Sequence, residues 1–184
     1  MADLEKIQEQ LDRLQAQVDG LDRGAAEDKL SLIVFSGDLD RALASFIIAT
    51  GAAAMGTEVV MFFTFWGTPL LRAKNKSASG KDFMGKMFGK MLPKGVDQLK
   101  LSKMNMGGMG TAMMKALMKK KNVASLDQLI EMAGELGVKI YICEMSMDLM
   151  GFKREEMIDY PDLTYAGVAT FLEQAGRSRV QLFI

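Results

Sequence analysis

The stretch "KLSLIVFSGDLDRALASFIIATGAAAMGTEVVMFFTFW", residues 29–66, decides the fold of this chain. It begins with a short apolar run rich in β-branched residues, 29–36, which is typical of a buried strand. After a turn, residues 39–56 have the composition of a helix, for which Asp38 is the predicted N-cap. Residues 57–66 then return to the pattern of a buried strand. The stretch therefore predicts a strand–helix–strand unit with parallel strands.

The rest of the chain extends this alternation. Ser125 and Gln128 match a capping box for a helix over 125–137. The other predicted elements are a strand at 138–143, a short helix near 153–158, a short strand at 163–165, a helix near 166–175 and a last strand at 180–184. Apolar strands that alternate with helices indicate a three-layer α/β domain with a mainly parallel sheet of about five strands. Ligands of such sheets bind beyond the carboxyl ends of the strands, so we expect the turns after Phe35, Trp66 and Cys143 on one functional edge.

Residues 1–28 are predicted to form an amphipathic helix and a linker, 22–28, ahead of the α/β domain at 29–184. Apolar residues recur at alternating spacings of three and four, which is typical of a coiled-coil seam: Leu4, Ile7, Leu11, Leu14, Val18 and Leu21. Fewer than three heptads form a marginal helix in isolation. We therefore expect this helix to pair with another copy of the chain, with docking on its own domain as the alternative.

The composition excludes several classes of enzyme. The 184 residues include no histidine and one cysteine, and the formal net charge is zero. Without histidine, Ser-His-Asp and Cys-His mechanisms and His-containing zinc sites are excluded, and we predict neither a metal site nor a cofactor. A single cysteine forms no internal disulfide, which fits a reducing compartment. Since the N-terminus also lacks the pattern of a secretory signal, we expect a cytoplasmic protein.

A membrane span is an alternative for part of the opening stretch. Residues 42–71 contain one charged residue, Glu58, and are long enough to cross a bilayer. Gly51 and Gly56 interrupt the middle of this run, where a turn from helix to strand is predicted. The pattern favours the helix and strand over the span.

An insertion at about 67–124 breaks the regular alternation and carries most of the basic charge. Between Arg72 and Lys121 there are thirteen basic and two acidic residues, so this segment has a net charge of +11. Nine of the seventeen methionines lie between Met84 and Met118. Apolar residues at near-helical spacing predict two amphipathic helices: Phe83, Met84, Met87, Phe88 and Met91 in the first, and Met113, Met114, Leu117 and Met118 in the second.

Four interpretations of the insertion remain open. Methionine adapts to several partners, so the segment is a candidate docking surface for an acidic protein or for a neighbouring copy. Its lysines and phenylalanines also permit peripheral contact with an anionic membrane, and its methionines permit a Cu(I) site. The structural alternative is a helical hairpin that covers the sheet with its methionines in the core. Nucleic-acid binding is not predicted, because the lysines lack interleaved arginines and no base-reading motif is present.

Cys143 is the candidate reactive residue because it ends a predicted strand on the functional edge. If a helix begins at Glu144, its backbone amides favour the thiolate, whereas the carboxylates of Glu144 and Asp148 oppose it. One thiol excludes dithiol oxidoreductase chemistry, and no basic partner for a one-cysteine peroxidase is evident. It is sufficient to accept sulfur as a persulfide and to release it. The structural alternative is an inert cysteine that packs as a small hydrophobe.

Several uncommon motifs resemble the DsrE/DsrF-like sulfur-relay family, specifically its longer, Met-rich branch, which is often labelled peroxiredoxin-like. They are "LSLIVFSGDLDRALASFIIATGAAAMGTEVVMFFTFWG", "KDFMGKMFGKMLPKG", "LSKMNMGGMGTAMM", "CEMSMDLMGF" and "YAGVATFLEQAGRSRVQLFI", and together they cover most of residues 30–184. The resemblance implies a Rossmann-like fold, trimers or hexamers, and sulfur trafficking beside rhodanese-type and TusA-type proteins. The sulfur-bearing cysteine of the family matches Cys143. Some relatives have further cysteines that this chain lacks, so a two-cysteine mechanism is not expected, and the peroxiredoxin label finds no support in these residues.

The sequence and the resemblance together predict a sulfur carrier or sulfurtransferase. Cys143 is the predicted catalytic residue, and its predicted pocket is lined by Ser36, Gly37, Asp38, Trp66, Glu144 and Met145. The alternative function is an oligomeric scaffold or membrane-surface adaptor with a structural cysteine.

Overall fold

The computed structural model describes residues 7, 8, 10–15, 17 and 26–184. The described positions between 7 and 17 are helical. The strands are β1 (Glu27–Val34), β2 (Glu58–Phe63), β3 (Lys139–Cys143), β4 (Leu163–Ala166) and β5 (Ser178–Phe183). The α-helices from residue 26 onward are α1 (Leu39–Ala54), α2 (Phe83–Met91), α3 (Met109–Lys120), α4 (Leu126–Glu135), α5 (Glu144–Met150) and α6 (Val168–Arg177). Short 3-10 turns lie at Phe65–Leu71, Val96–Gln98, Met106–Gly108 and Arg154–Glu156.

The five strands form one parallel sheet in the order β4-β3-β2-β1-β5. From β1 to β4 the chain moves steadily toward one edge, and it then returns to place β5 on the far side of β1. Right-handed crossovers put the helices of the first three connections on one face, and the reversal puts α6 on the other. The predicted three-layer, Rossmann-like α/β fold is confirmed.

The sheet has a main core on the face covered by α1, α4 and α5. Its centre is formed by fully buried residues of the three middle strands: Leu32, Val34, Met61, Phe63, Ile140 and Ile142. Phe46 of α1 packs on Phe63 with ring centroids 5.9 Å apart. Each such buried side chain contributes about 1.5–3 kcal/mol to the free energy of unfolding. This face anchors the strands whose carboxyl ends build the candidate site.

The opposite face has a smaller core. Alternate residues of β2 and β3 point to this face, where Val60, Phe62 and Cys143 pack against Phe171 and Ala175 of α6. Helix α6 is the helix that contributes buried residues to this second core.

The predicted helices of the insertion are confirmed, whereas the structural alternative, in which their methionines form core, is not supported. Both α2 and α3 lie where the spacing predicts them, and Ser125 and Gln128 form the predicted capping box of α4. Among the nine methionines of the insertion, Met118 is partly buried and packs on the core, whereas the other eight are exposed. The amphipathic pattern identifies an apolar stripe but does not say whether the same chain covers it.

Other boundaries also differ from the prediction. Strand β1 begins at Glu27, inside the predicted linker at 22–28, of which 22–25 lie outside the described residues. Strand β2 ends at Phe63, because the backbone turns at Phe65, whose φ is +43°. The helix predicted near 153–158 is a 3-10 turn at Arg154–Glu156, and a full helix, α5, begins directly after Cys143.

The membrane alternative is not supported. Within residues 26–184 and the described positions before them, no helix combines the length and the apolar character needed to cross a bilayer. The run at 42–71 is divided between α1, β2 and a 3-10 turn.

Candidate functional site

Cys143 lies at the carboxyl end of β3, where the sequence predicts it. It is the last residue of the strand and the N-cap of α5, and it pairs in register with Ala166 of β4. Its exposed fraction is 3%. Cys143 belongs to a small apolar cluster whose other buried members are Val60, Phe62, Phe171 and Ala175. In this conformation the thiol has the surroundings of an unreactive cysteine.

Helix α6 packs on the apolar cluster that contains the thiol. Phe171 is 3% exposed, and its ring stacks on that of Phe62 with centroids 4.9 Å apart and an interplanar angle of 20°. On the same helix, Val168 and Leu172 are 60% and 59% exposed, so much of the apolar face of α6 makes no contact with the sheet. The helix therefore rests on a small contact area around Phe171 and Ala175.

A buried hydroxyl pair fixes the edge beside Cys143. The hydroxyls of Thr64 and Ser146 are 2.8 Å apart, and the amide of Phe65 donates to Ser146 Oγ over 3.0 Å. Ser146 is fully buried and joins the first turn of α5 to the turn after β2. Neither hydroxyl residue is predicted from the sequence pattern. The available signal concerns Ser146, a serine between two methionines in a segment that is otherwise apolar or charged.

Ser36, Gly37, Asp38 and Trp66 form a second group on the same edge. The Ser36 hydroxyl donates to Asp38 Oδ2 over 2.8 Å, and the Asp38 amide donates to Ser36 Oγ over 3.2 Å. Asp38 is the N-cap residue of α1, but its side chain makes no capping hydrogen bond, because its carboxylate is held by Ser36 and lies 3.7 Å from Arg41. Thus the predicted cap position is right, and the predicted capping role of the carboxylate is wrong.

Gly37 allows this group to approach the turn after β2. A Cβ atom at this position would lie 2.5 Å from the carbonyl oxygen of Trp66. The Trp66 side chain itself is 48% exposed. Since β2 separates β1 from β3 in the sheet, two strand spacings, about 10 Å, lie between the Ser36 turn and Cys143.

Glu144 and Met145 follow Cys143 directly but lead away from the apolar cluster. The Glu144 carboxylate forms an ion pair with Arg154, whose guanidinium lies 4.5 Å from the centroid of the Tyr165 ring. Burial raises the pKa of Tyr165, against the opposing effect of Arg154. Met145 is 55% exposed. The negative charge next to Cys143 is therefore already paired with a cation.

The two buried cations of the insertion, Arg72 and Lys81, do not lie over the thiol. Arg72 of the insertion contacts Phe152, which belongs to the main core, across the sheet from the cluster around Cys143. Four cavities in the described part of the chain have volumes of about 200 to 780 Å³, and Cys143 does not line any of these four. In the same part of the chain, no group of three or more acidic, histidine or cysteine side chains is arranged to hold a metal ion.

The exposed apolar residues of the insertion are here together called the methionine surface, with four on α2 and six on or just before α3: Phe83, Met84, Met87, Met91, Met104, Met106, Met109, Met113, Met114 and Leu117. Its central segment is tied to the functional edge of the sheet. The Leu39 amide donates to the carbonyl of Lys100 over 2.8 Å, and the amide and hydroxyl of Ser102 donate to Asp40 over 2.8 and 2.6 Å. Although burial opposes it, these two bonds from Ser102 hold the pKa of Asp40 below its usual value. Exposed large apolar side chains in such number are typical of interaction sites.

Comparison with known proteins gives one family and two close relatives. The model of the DsrE/DsrF/DrsH-like family matches residues 26–183. The uncharacterized protein YrkE of Bacillus subtilis is 51% identical over 156 residues, which cover 85% of this chain and 96% of that protein. The sulfur carrier protein DsrE2 of Allochromatium vinosum is 42% identical over 162 residues, which cover 86% of this chain and 99% of that protein.

Proposed function

Because the chain belongs to the DsrE/DsrF/DrsH-like family, we propose that it is a sulfur-relay protein that carries sulfane sulfur as a persulfide on Cys143. One observation carries the proposal: the single thiol of the chain ends a strand at the carboxyl edge of a parallel sheet. This is where such sheets place ligands. A relative that is 42% identical over nearly its whole length is named a sulfur carrier.

The proposed reaction needs one nucleophilic sulfur on each protein. The Cys143 thiolate attacks the outer sulfur of a donor persulfide, the donor S–S bond breaks, and the donor leaves as a thiolate with the electron pair of that bond. With thiosulfate as the donor, the leaving group is sulfite. In the second step the thiolate of an acceptor attacks the outer sulfur on Cys143 and releases the Cys143 thiolate. No net oxidant or reductant is consumed in either step.

Burial of the thiol assigns a role to α6 in this proposal. The apolar cluster excludes water from a persulfide, which would protect it between donor and acceptor. Loading and unloading both require α6 to move away from the sheet. The limited contact of α6 with the sheet makes this displacement less costly than the opening of a main-core helix.

We further propose that rhodanese-type or TusA-type partners dock on the methionine surface. Soft methionine side chains accept differently shaped partners, and the surrounding lysines favour an acidic one. The Ser102–Asp40 contact ties this surface to the edge on which Cys143 lies. Trimers or hexamers, a cytoplasmic location and the reactive role of Cys143 all belong to this proposal.

One observation favours a second candidate function. Cys143 is 3% exposed and lies in an apolar cluster, as is typical of a structural cysteine. With a structural cysteine, the methionine surface would serve an oligomeric scaffold or an adaptor at an anionic membrane surface. Flotation with anionic vesicles at low salt tests the membrane version. Protein that stays at the bottom of the gradient contradicts it.

Mass spectrometry of the intact protein separates the two functions. The protein is incubated with thiosulfate or with a persulfidated donor, and desalted without reductant. A sulfur carrier gains about 32 Da, the mass of one sulfur atom, and loses it on reduction. The Cys143→Ser variant is the control. A wild type that gains no mass while a free persulfide donor remains present contradicts the carrier function.

A further inference from the structure

A small basic cavity beneath α2 lies outside the candidate site. Its volume is about 280 Å³. Its charged lining consists of Arg72, Lys81, Lys86, Lys90, Lys94 and the carboxylate of Glu156. Five cations therefore face one carboxylate, in a chain whose formal net charge is zero.

Two of these cations are buried and share the single carboxylate. The side chains of Arg72, Lys81 and Glu156 are 3%, 9% and 2% exposed. Arg72 Nη2 lies 3.2 Å from Glu156 Oε2, Lys81 pairs with the other carboxylate oxygen, and both cations lie over the ring of Phe152. Arg72 Nε is buried and has no hydrogen-bond partner among the described residues. Arg72 also donates to the backbone carbonyls of Gly89, Leu92 and Pro93, so two buried positive charges share these carbonyl groups and one carboxylate within the described chain. A buried charge is costly unless it is paired.

The rim of the cavity adds further unpaired positive charge. Lys86 and Lys90 are one helical turn apart on α2, and Lys94 follows four residues later. In the described part of the chain, no ion pair engages these three lysines. Like charges one turn apart destabilise a helix unless a negative charge lies between them.

Glycine keeps the space above the buried cations open. A Cβ atom at Gly89 would lie 3.4 Å from Lys81 Nζ and 3.8 Å from Arg72 Nη2. The remaining lining residues are small or already named, and include Ser77, Ala78 and Gly85. The buried cations are therefore covered by a polar, roomy site with an excess of positive charge.

We propose that this cavity binds a tetrahedral oxyanion with two negative charges, such as phosphate, sulfate or thiosulfate. A dianion supplies the missing counterion for Arg72 and Lys81 and bridges the lysines of α2. Phe152, beneath the buried cations, belongs to the main core, whereas Cys143 lies on the other face of the sheet. Binding in the cavity is therefore independent of the state of the thiol.

Titration calorimetry with sodium phosphate and with sodium thiosulfate, at ionic strength held constant with chloride, tests this proposal. The Lys86→Ala/Lys90→Ala variant removes two exposed rim charges. The Lys119→Ala/Lys120→Ala variant removes two exposed charges from the end of α3, away from the cavity, and is the matched control. We expect saturable binding to the wild type, a loss of about tenfold or more in the rim variant, and a change within about twofold in the control.

Equal affinity in the rim and control variants, or no saturable binding of either anion to the wild type, overturns the proposal. Circular dichroism checks that the rim variant is folded, and Lys90→Ala alone, with an expected loss of about threefold, provides a milder second variant. Binding of both anions identifies a general oxyanion site, and preference for thiosulfate identifies a site for a sulfur-containing anion. The Cys143→Ser variant is expected to keep the wild-type affinity, so failure of the persulfide proposal leaves this test unaffected.

Discussion

Replacement of Phe171 by alanine should open the cover over Cys143. Phe171 is the buried aromatic anchor of α6, and its ring stacks on Phe62 within the cluster that contains the thiol. The substitution removes this contact and leaves the residues of the sheet unchanged. If the thiol reacts only when α6 moves away, the variant should react faster.

The size of the effect follows from the burial of Phe171. Truncation of a buried phenylalanine to alanine costs about 3–5 kcal/mol, and part of this loss acts on the contact between α6 and the sheet. If about 2–3 kcal/mol of this loss weakens the contact between α6 and the sheet, the population of the open form rises about 30- to 150-fold, since 1.36 kcal/mol corresponds to a factor of ten. The rate of thiol labelling rises by the same factor as long as opening and closing are fast compared with labelling.

Labelling with iodoacetamide at neutral pH, followed by intact mass, measures this rate. Leu172→Ala is the matched control, because Leu172 is the next residue of α6 and is 59% exposed. We expect it to change the rate by less than about threefold. Urea unfolding of each variant gives the free energy of global unfolding, and Phe171→Leu gives a milder change if the alanine variant unfolds. A labelling rate in Phe171→Ala or Phe171→Leu that equals the wild-type rate would refute the idea that α6 controls access.

Three further predictions concern stability. Burial works against ionisation of Glu156, but the Lys81 hydrogen bond, the Lys153 amide and the nearby positive charges hold its pKa below 4.5. The ionised carboxylate therefore stabilises the fold above pH 4.5, and this stabilisation is lost as the pH falls through the lowered pKa. Glu156→Gln should therefore lower the free energy of unfolding, measured in urea at pH 7, by about 3–5 kcal/mol and reduce its dependence on pH in the acid range. Glu173→Gln, in an exposed ion pair, should lower it by less than about 1 kcal/mol, and equal losses in the two variants would contradict this prediction. Ser146→Ala leaves buried partners unpaired and should cost about 1–3 kcal/mol, and an unchanged melting temperature would argue against the hydroxyl pair. Gly151→Ala should lower the free energy of unfolding by about 1–3 kcal/mol more than Gly107→Ala does. The φ angles of the two residues are similar, +63° and +68°, but a Cβ atom at 151 would lie 2.4 Å from the Cα atom of Gly85, whereas one at 107 would meet nothing within 4 Å. Equal losses in these two variants would show that the close approach of α2 to α5 is unimportant.

The layers of the fold follow from local patterns, but the face on which the thiol lies does not. Short apolar runs, helical spacing and the Ser125 capping box predict the elements because each signal is contained in a few neighbouring residues. Tyr141 and Cys143 share a face of β3 because strand residues alternate. Which helix covers that face depends on β5 returning to the far side of β1, a pairing between the two ends of the domain. Hence the position of Cys143 at the strand end could be predicted, and the packing of α6 on its face of the sheet could not.

The methionines show a second limit of prediction from sequence. Helical spacing identifies the apolar stripes of α2 and α3, but methionine suits a core and an interaction surface equally well. Its burial is decided by whether other parts of the chain reach it, which spacing does not encode. The same reason explains Asp38, whose type and position predict a cap, while the Ser36 hydroxyl holds its carboxylate elsewhere.

Transfer of isotopically labelled sulfur tests the central proposal most directly. The protein is loaded from thiosulfate that carries ³⁴S in its outer position, desalted, and mixed with an excess of an acceptor thiol, and the peptide that contains Cys143 is measured before and after. We predict one labelled sulfur atom on Cys143 after loading, its transfer to the acceptor, and no label in the Cys143→Ser variant. The proposal is contradicted if Cys143 carries no label after loading in either the wild type or the Phe171→Ala variant. It is also contradicted if the label stays on Cys143 in the presence of the acceptor.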